Sequence, residues 1–319
     1  MQGHAQLRPS QEAIVAQPGP LARRVADLKL AMEVLAAPGV ESDDPSQSPV
    51  PPWPGEITGV QGLRIGFYTD NGVLAASPAL RRAVVEAAGA LRERGAEVEE
   101  WAPPDIRRGW GIYLGLLCAD GMAGARRALG RSRRDWRTKE MIRSASLPKG
   151  ARWLLCRLLG AFGQRHAVEA LGSIGRLSTE QYWDLVAERN CYRERFLERL
   201  DAARLDALIC PPDAVPALLH GSSYYLGEAI SYCAIYNLLG LPAGVVAATR
   251  VRAGEETDRP ASRDLVERTA RKVETGSAGL PVGVQVVARH WREDVALGLM
   301  GVLEDHFRAQ PSYPQQPPI

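Results

Sequence analysis

The stretch from Glu228 to Thr249 constrains this chain most, because it reads as a buried helix, a tight stop and a buried strand in immediate succession. Ala229, Ile230, Cys233, Ala234, Tyr236 and Asn237 supply a helical face. Gly240 can take the positive φ of a helix C-terminus, and Pro242 prevents the helix from continuing. A strand is predicted from about Ala243, and Val245-Val246 runs apolar without alternation, which suits cover on both faces. A second such run recurs at Gly279-Leu-Pro-Val-Gly-Val-Gln-Val-Val-Ala288. Two doubly covered strands imply an α/β core, a β-sheet between layers of helices.

The rest of the chain fits that frame. Leu63–Phe67 reads as a strand, and Ser77-Pro78 opens a helix with Leu80, Val84, Ala88 and Leu91 inward. Gly95 stops that helix and Val98–Trp101 returns as a strand. The intervening Tyr68-Thr-Asp-Asn-Gly72 lacks the spaced glycines of a dinucleotide loop, so no Rossmann cofactor is expected. Leu21, Val25, Leu28, Met32 and Leu35 predict an amphipathic helix over Gly19–Ala36, with Pro20 in its first turn. Residues 37–56 are rich in proline and read as an extended connection. Thr179–Arg199 is a long charged helix, Leu205–Pro212 a short strand cut off by two prolines, and 252–275 an insertion of helix or loop between the two core strands. Residues 310–319, rich in Pro and Gln, read as a disordered tail.

Charge and cysteine usage exclude several classes. A formal net charge of +2 over 319 residues demands no polyanionic partner. The five cysteines are scattered and odd in number, which suits free thiols in a reducing compartment, and no His–Cys spacing resembles a zinc site. No apolar run approaches the roughly 20 residues of a spanning helix, and the N-terminus lacks a secretory h-region, so a cytoplasmic or peripheral membrane location is expected.

The charge is nevertheless uneven: residues 126–165 hold twelve Arg and Lys against Asp135 and Glu140. Inside this block, Leu154, Leu155, Leu158, Leu159 and Phe162 form one apolar arc beside Trp153, bordered by Arg152 and Arg157. That pattern describes a helix lying in a membrane surface, and equally one whose arc packs on the protein's own core while its arginines are solvated. Nucleic acid is the weaker partner, since Trp136 and Trp153 form no stacking platform.

Several phrases together resemble the C-terminal region of amidase-signature hydrolases, most of all the fatty-acid amide hydrolase branch. They are Leu-Pro-Ala-Gly-Val-Val at 241–246, Gly-Leu-Pro-Val-Gly-Val-Gln-Val-Val at 279–287 and Trp291-Arg-Glu-Asp294. Gly-Pro-Leu-Ala-Arg at 19–23, Leu205-Asp-Ala-Leu-Ile-Cys-Pro211, and Leu147-Pro148 followed by Trp153-Leu-Leu also match. The resemblance implies a mixed β-sheet covered by helices on both faces, an incomplete amidase-signature fold spanning 19–309, preceded by an N-terminal remnant at 1–18. It implies a basic, membrane-facing helical cap at 126–175, and no cofactor or metal.

Amidase-signature enzymes activate a serine through a second serine and a lysine, with backbone N–H donors for the oxyanion. No such segment stands in this sequence, so no catalytic residue is assigned. Gly221-Ser222-Ser223 is the single tandem serine pair and reads as turn chemistry. The lysines Lys29, Lys139, Lys149 and Lys272 lie outside any catalytic context, and a Ser222–His220 pair completed by Asp213 or Glu228 has only sequence proximity behind it. His290 and His306 read as structural or exposed. The resemblance places Val73, Cys118, Met141, Ile174, Gly227 and Ile230 along an acyl-chain channel, and plain core is the commoner role for any one such apolar residue.

Three readings stay open at this point: a hydrolase lobe that is catalytic only with a segment outside this sequence, a non-catalytic binding protein of the same fold, and a stand-alone α/β enzyme. Under the first, the partners are a small-molecule amide, a membrane surface and, because a sheet lacking strands exposes an edge, a second copy of the chain.

Overall fold

A computed structural model describes residues 12–37, 55, 57 and 59–315. The first elements are α1 (Val25–Leu35), β1 (Arg64–Phe67), α2 (Pro78–Glu93), β2 (Glu97–Glu100) and α3 (Ile106–Leu117). The basic block forms α4 (Ala123–Leu129), α5 (Trp136–Ala145), α6 (Lys149–Ala161) and α7 (Arg165–Ser173). There follow α8 (Thr179–Ala202), β3 (Ala207–Cys210), α9 (Ser231–Leu239), β4 (Ala243–Arg250), α10 (Leu265–Glu274), β5 (Pro281–Ala288) and α11 (Glu293–Arg308).

Local chemistry explains the boundaries. Pro78 occupies the first turn of α2, Leu80, Val84, Ala88 and Leu91 are all buried, and Gly95 takes φ +89° to end the unit. Ser178 and Gln181 form a reciprocal capping box at the start of α8. Gly240 adopts φ +73° after α9, the left-handed turn expected there, and the strand begins at Ala243.

The strands make one mixed sheet in the order β2-β1-β3-β5-β4. β1 runs parallel to β2 and β3, whereas β5 is antiparallel to both β3 and β4. Side chains alternate across it. Gly244, opposite Val286, faces α11 so closely that a Cβ there would stand 2.4 Å from Met300 Sδ. Gln285, opposite Val245 and Cys210, faces the other way and donates to Tyr232 O on α9 at 3.0 Å. Helices α2 and α11 thus cover one face and α9 covers the other, with α3 and α8 packed outside it.

The structure corrects several expectations. Val246 is buried but Val245 is 51% exposed, because β4 pairs only with β5 and stands at the edge of the sheet among the described residues. Unalternated apolar sequence therefore marked cover on both faces for β5 and not for β4. The helix of the opening stretch begins at Ser231 after a 3-10 turn, Gly227–Ile230, and Ile230 and Cys233 point outward rather than inward. Helix α1 starts at Val25, so Pro20 and the fully exposed Leu21 precede it, while Val25, Leu28 and Met32 pack inward as expected. Residues 310–315 are not loose: Tyr313 packs on the core and Ser312 Oγ accepts from Thr249 Oγ1 at 3.1 Å. Residues 316–319, most of the 37–56 connection and the first eleven of the N-terminal eighteen lie outside the described residues. Of that N-terminal stretch, Ala13 and Ile14 are buried.

Candidate functional site

The sheet order sets where a site can form. β1 connects through α2 to β2 on one side, and the chain then returns through α3–α8 to β3 on the other. The carboxyl ends of β1 and β3 therefore open at a topological switch point, the usual ligand crevice of an α/β sheet. Two loops leave there, 68–77 and 211–230.

Polar side chains knit these loops to α9. Asn71 Nδ2 donates to Ser231 Oγ at 2.8 Å, Tyr232 Oη donates to Leu74 O at 3.1 Å, and Asn71 Oδ1 accepts from Val73 N at 2.9 Å. Ala214 N donates to Ala229 O at 3.2 Å, and Ser77 N to Ala214 O at 2.8 Å. Beneath them Tyr68 and Tyr236 share a 2.7 Å hydroxyl contact in which either can donate, and burial raises both phenols well above their ordinary range, so both stay neutral.

Two acids stand on the second of these loops, Asp213 and Glu228. Burial pushes the Asp213 carboxyl up to about 6, against the opposing pull of the Val215 and Ala214 N–H groups. Burial likewise raises Glu228, on the 3-10 turn next to Ala229. Carboxyls held in a poorly solvated cleft are common at functional positions.

The expected channel residues fall into three groups. Cys118 and Ile174 meet in a small apolar cluster with Met122, Ala125, Ile142 and Ala145, and burial pushes the Cys118 thiol up to about 11, so it behaves as a small hydrophobe. Val73 is buried in the main core, inside the loop after β1. Met141, Gly227 and Ile230 are exposed, and a Cβ at Gly227 would meet nothing within 4 Å.

The serine pair has turn geometry. Ser222 Oγ donates to Leu219 O at 2.7 Å at the start of a 3-10 turn, and Asp213 Oδ1 is taken by Val215 N. Among the described residues, neither of these bonds involves His220. His290 Nε2 lies 3.1 Å from Leu239 O, and His306 Nε2 lies 2.9 Å from Gln310, both structural contacts. Among the described residues no group of three or more His, Cys, Asp or Glu is placed to hold a metal.

The basic block presents an uncovered helix. No residue of α6 is buried; Trp153, Leu154 and Leu158 are more than half exposed, as is Phe162 just beyond it. Leu155 and Leu159 are half-buried, and α6 packs mainly on α7. Arg157 lies 5.2 Å over the Trp153 ring, while Arg152 turns inward and donates to Ile174 O at 2.5 Å. No helix of the described residues is long and apolar enough to cross a membrane.

A further polar cluster escapes sequence reading. His166 on α7 is fully buried, its backbone N–H donates to Asp264 at 3.1 Å, and its Nε2 lies 3.4 Å from Glu267 on α10. Glu267 also receives Arg165 and the buried Arg259; the His166 bond and these guanidiniums hold it down at about 2. Asp264, with three residues to Glu267, was the one local sign of a helix start. Nothing in the sequence links 259–274 to α7.

With the geometry in place, the comparisons with known proteins are specific. The family model described as Amidase matches residues 3–297. The chain is 30% identical over 302 residues to fatty-acid amide hydrolase 1 of Sus scrofa, covering 92% of this chain and 51% of that protein. The Caenorhabditis elegans fatty acid amide hydrolase 1 is 27% identical over 304 residues, covering 93% and 52%. A solved structure titled fatty acid amide hydrolase superposes with a TM-score of 0.72 at 19% identity, over 95% of this chain and 50% of that one. The chain thus spans about half the length of these relatives. From its mixed sheet, its motif phrases and these matches, the chain belongs to the amidase-signature family, on the branch resembling fatty-acid amide hydrolases.

Proposed function

We propose that this chain is the channel-forming lobe of a hydrolase that cleaves the C–N bond of apolar, acyl-type amides, with the attacking serine and its lysine supplied by a segment outside this sequence. One observation carries the reading: the chain belongs to the family and has its fold, yet Ser222 of its tandem serine pair donates to Leu219 O at 2.7 Å in a turn. Val73, Cys118, Met141, Ile174, Gly227 and Ile230 then line the path of the acyl group. The half-length match to fatty-acid amide hydrolases supports an apolar acyl substrate.

The exposed face of α6 completes the reading. Trp153, Leu154, Leu158 and Phe162 enter a lipid surface, Leu155 and Leu159 follow at its margin, and Arg157 borders it beside the inward-braced Arg152. A membrane-seated cap suits a substrate that partitions into lipid, and on this reading the chain is a peripheral membrane protein.

A fluorophosphonate probe tests the catalytic part. The purified chain is expected to remain unlabelled and inactive, and co-expression with a polypeptide bearing the family's serine and lysine segment is expected to give hydrolysis of a long-chain acyl amide. Labelling of Ser222 or Ser223 in the chain alone would overturn the proposal. Failure of every such polypeptide to restore hydrolysis would favour a non-catalytic binding role.

A further inference from the structure

Two arginines from distant parts of the chain grip the loop that follows β1. Arg107, on α3, donates to Gly72 O through Nη2 and to Glu169 of α7 through Nη1. Arg259, from the connection between β4 and α10, donates to Ala75 O through Nη2. Its Nη1 reaches Glu267 Oε2 at 2.9 Å and its Nε reaches Glu274 Oε1 at 2.8 Å. Glu267 returns the link to α7 by accepting from Arg165 at 2.6 Å and facing His166 Nε2. Both arginines therefore join the same loop to the same helix.

The chemistry favours an arginine fork at the inner position. Arg259 and Glu274 have side chains 5% and 0% exposed, and the planar guanidinium serves two carboxylates and a carbonyl at once, which a lysine cannot do in fixed geometry. Removing one partner would strand a buried charge, so the links are held together or lost together. The loop needs them on its outer side: Gly72 and Ala75 are exposed, and only Val73 and Leu74 between them are buried.

We propose that Arg107 and Arg259 are positioning residues that lock the loop 68–77 to α7, so that the exit loop of β1 and the helical cap form one rigid wall. The proposal rests on the hydrolase reading only in calling that wall part of a substrate channel. It gives the helical cap a direct mechanical connection to the segment that carries Val73.

Amide hydrogen exchange on the full chain tests it without any activity measurement. The variants are Arg107→Gln, and Arg259→Gln combined with Glu274→Gln so that no buried charge is left alone. Both are expected to speed exchange about tenfold or more in Val73–Ala76 and in Ala167–Gly172, with β3 and β5 unchanged. Arg259→Lys is expected not to restore protection. Acceleration confined to one of the two segments, or spread through β3 and β5, would overturn the brace. Loss of the hydrolase reading would leave these exchange results untouched.

Discussion

Replacing Leu154 and Leu158 by glutamate separates a membrane-seated cap from an ordinary surface helix. The two leucines are 54% and 52% exposed, so each has about half of its surface still to bury. Full burial of a leucine stabilises by roughly 1.5–3 kcal/mol, which leaves roughly 1 kcal/mol per residue and about 2 kcal/mol for the pair. The double variant should therefore bind vesicles at least about thirtyfold more weakly, before the added cost of bringing carboxylates to the lipid. The half of each leucine already buried in the fold counts on the same scale, so folding stability should fall by no more than about 2 kcal/mol. Co-sedimentation with phosphatidylcholine vesicles, with and without anionic lipid, reads the binding, and a urea titration reads the fold. The excess of arginine around α6 should make the anionic component fall with salt, while the apolar component persists. Unchanged sedimentation in both lipids, with the variant folded, would refute the membrane assignment.

Asp213 should act as a pH-dependent liability: its folded carboxyl titrates near 6, above the unfolded value, so its favourable contribution is complete below pH 4 and lost as pH rises through 6. Asp213→Asn should therefore stabilise by roughly 1–3 kcal/mol at pH 8 and have little effect at pH 4 in chemical denaturation, and equal effects at both pH values would contradict the assigned burial. A Cβ at Gly283 would lie 2.7 Å from the Val246 carbonyl oxygen, and backbone cannot yield cheaply, so Gly283→Ala should cost about 1–3 kcal/mol in a urea titration; a neutral result would show that β4 and β5 separate readily. Val245, 51% exposed on an edge strand, should drive self-association that Val245→Lys suppresses in sedimentation velocity, and a monomer at every concentration tested would remove that expectation.

Much of the fold was legible because helix faces and chain stops are local matters. The 80, 84, 88, 91 spacing and Ser77-Pro78 identified α2 and its buried side, and Gly240 with Pro242 ended α9 and started β4 at the expected place. The candidate site was less legible. Val73 and Cys118 were chosen by resemblance and lie buried, but Met141 and Ile230, equally apolar, are exposed, since hydrophobicity does not say which surface has a neighbour.

What the sequence alone determined, then, was several core elements such as α2, α9 and β5, the α/β class and the family resemblance, all of which follow from short-range spacing and contiguous phrases. Tertiary structure decided which apolar strand is an edge, that Arg152 turns inward, and that Arg259, Glu267 and His166 meet across about a hundred residues of chain. The reason is physical: hydrophobic period reports the face a segment buries, whereas charge pairing and edge exposure depend on which distant segment arrives to meet it.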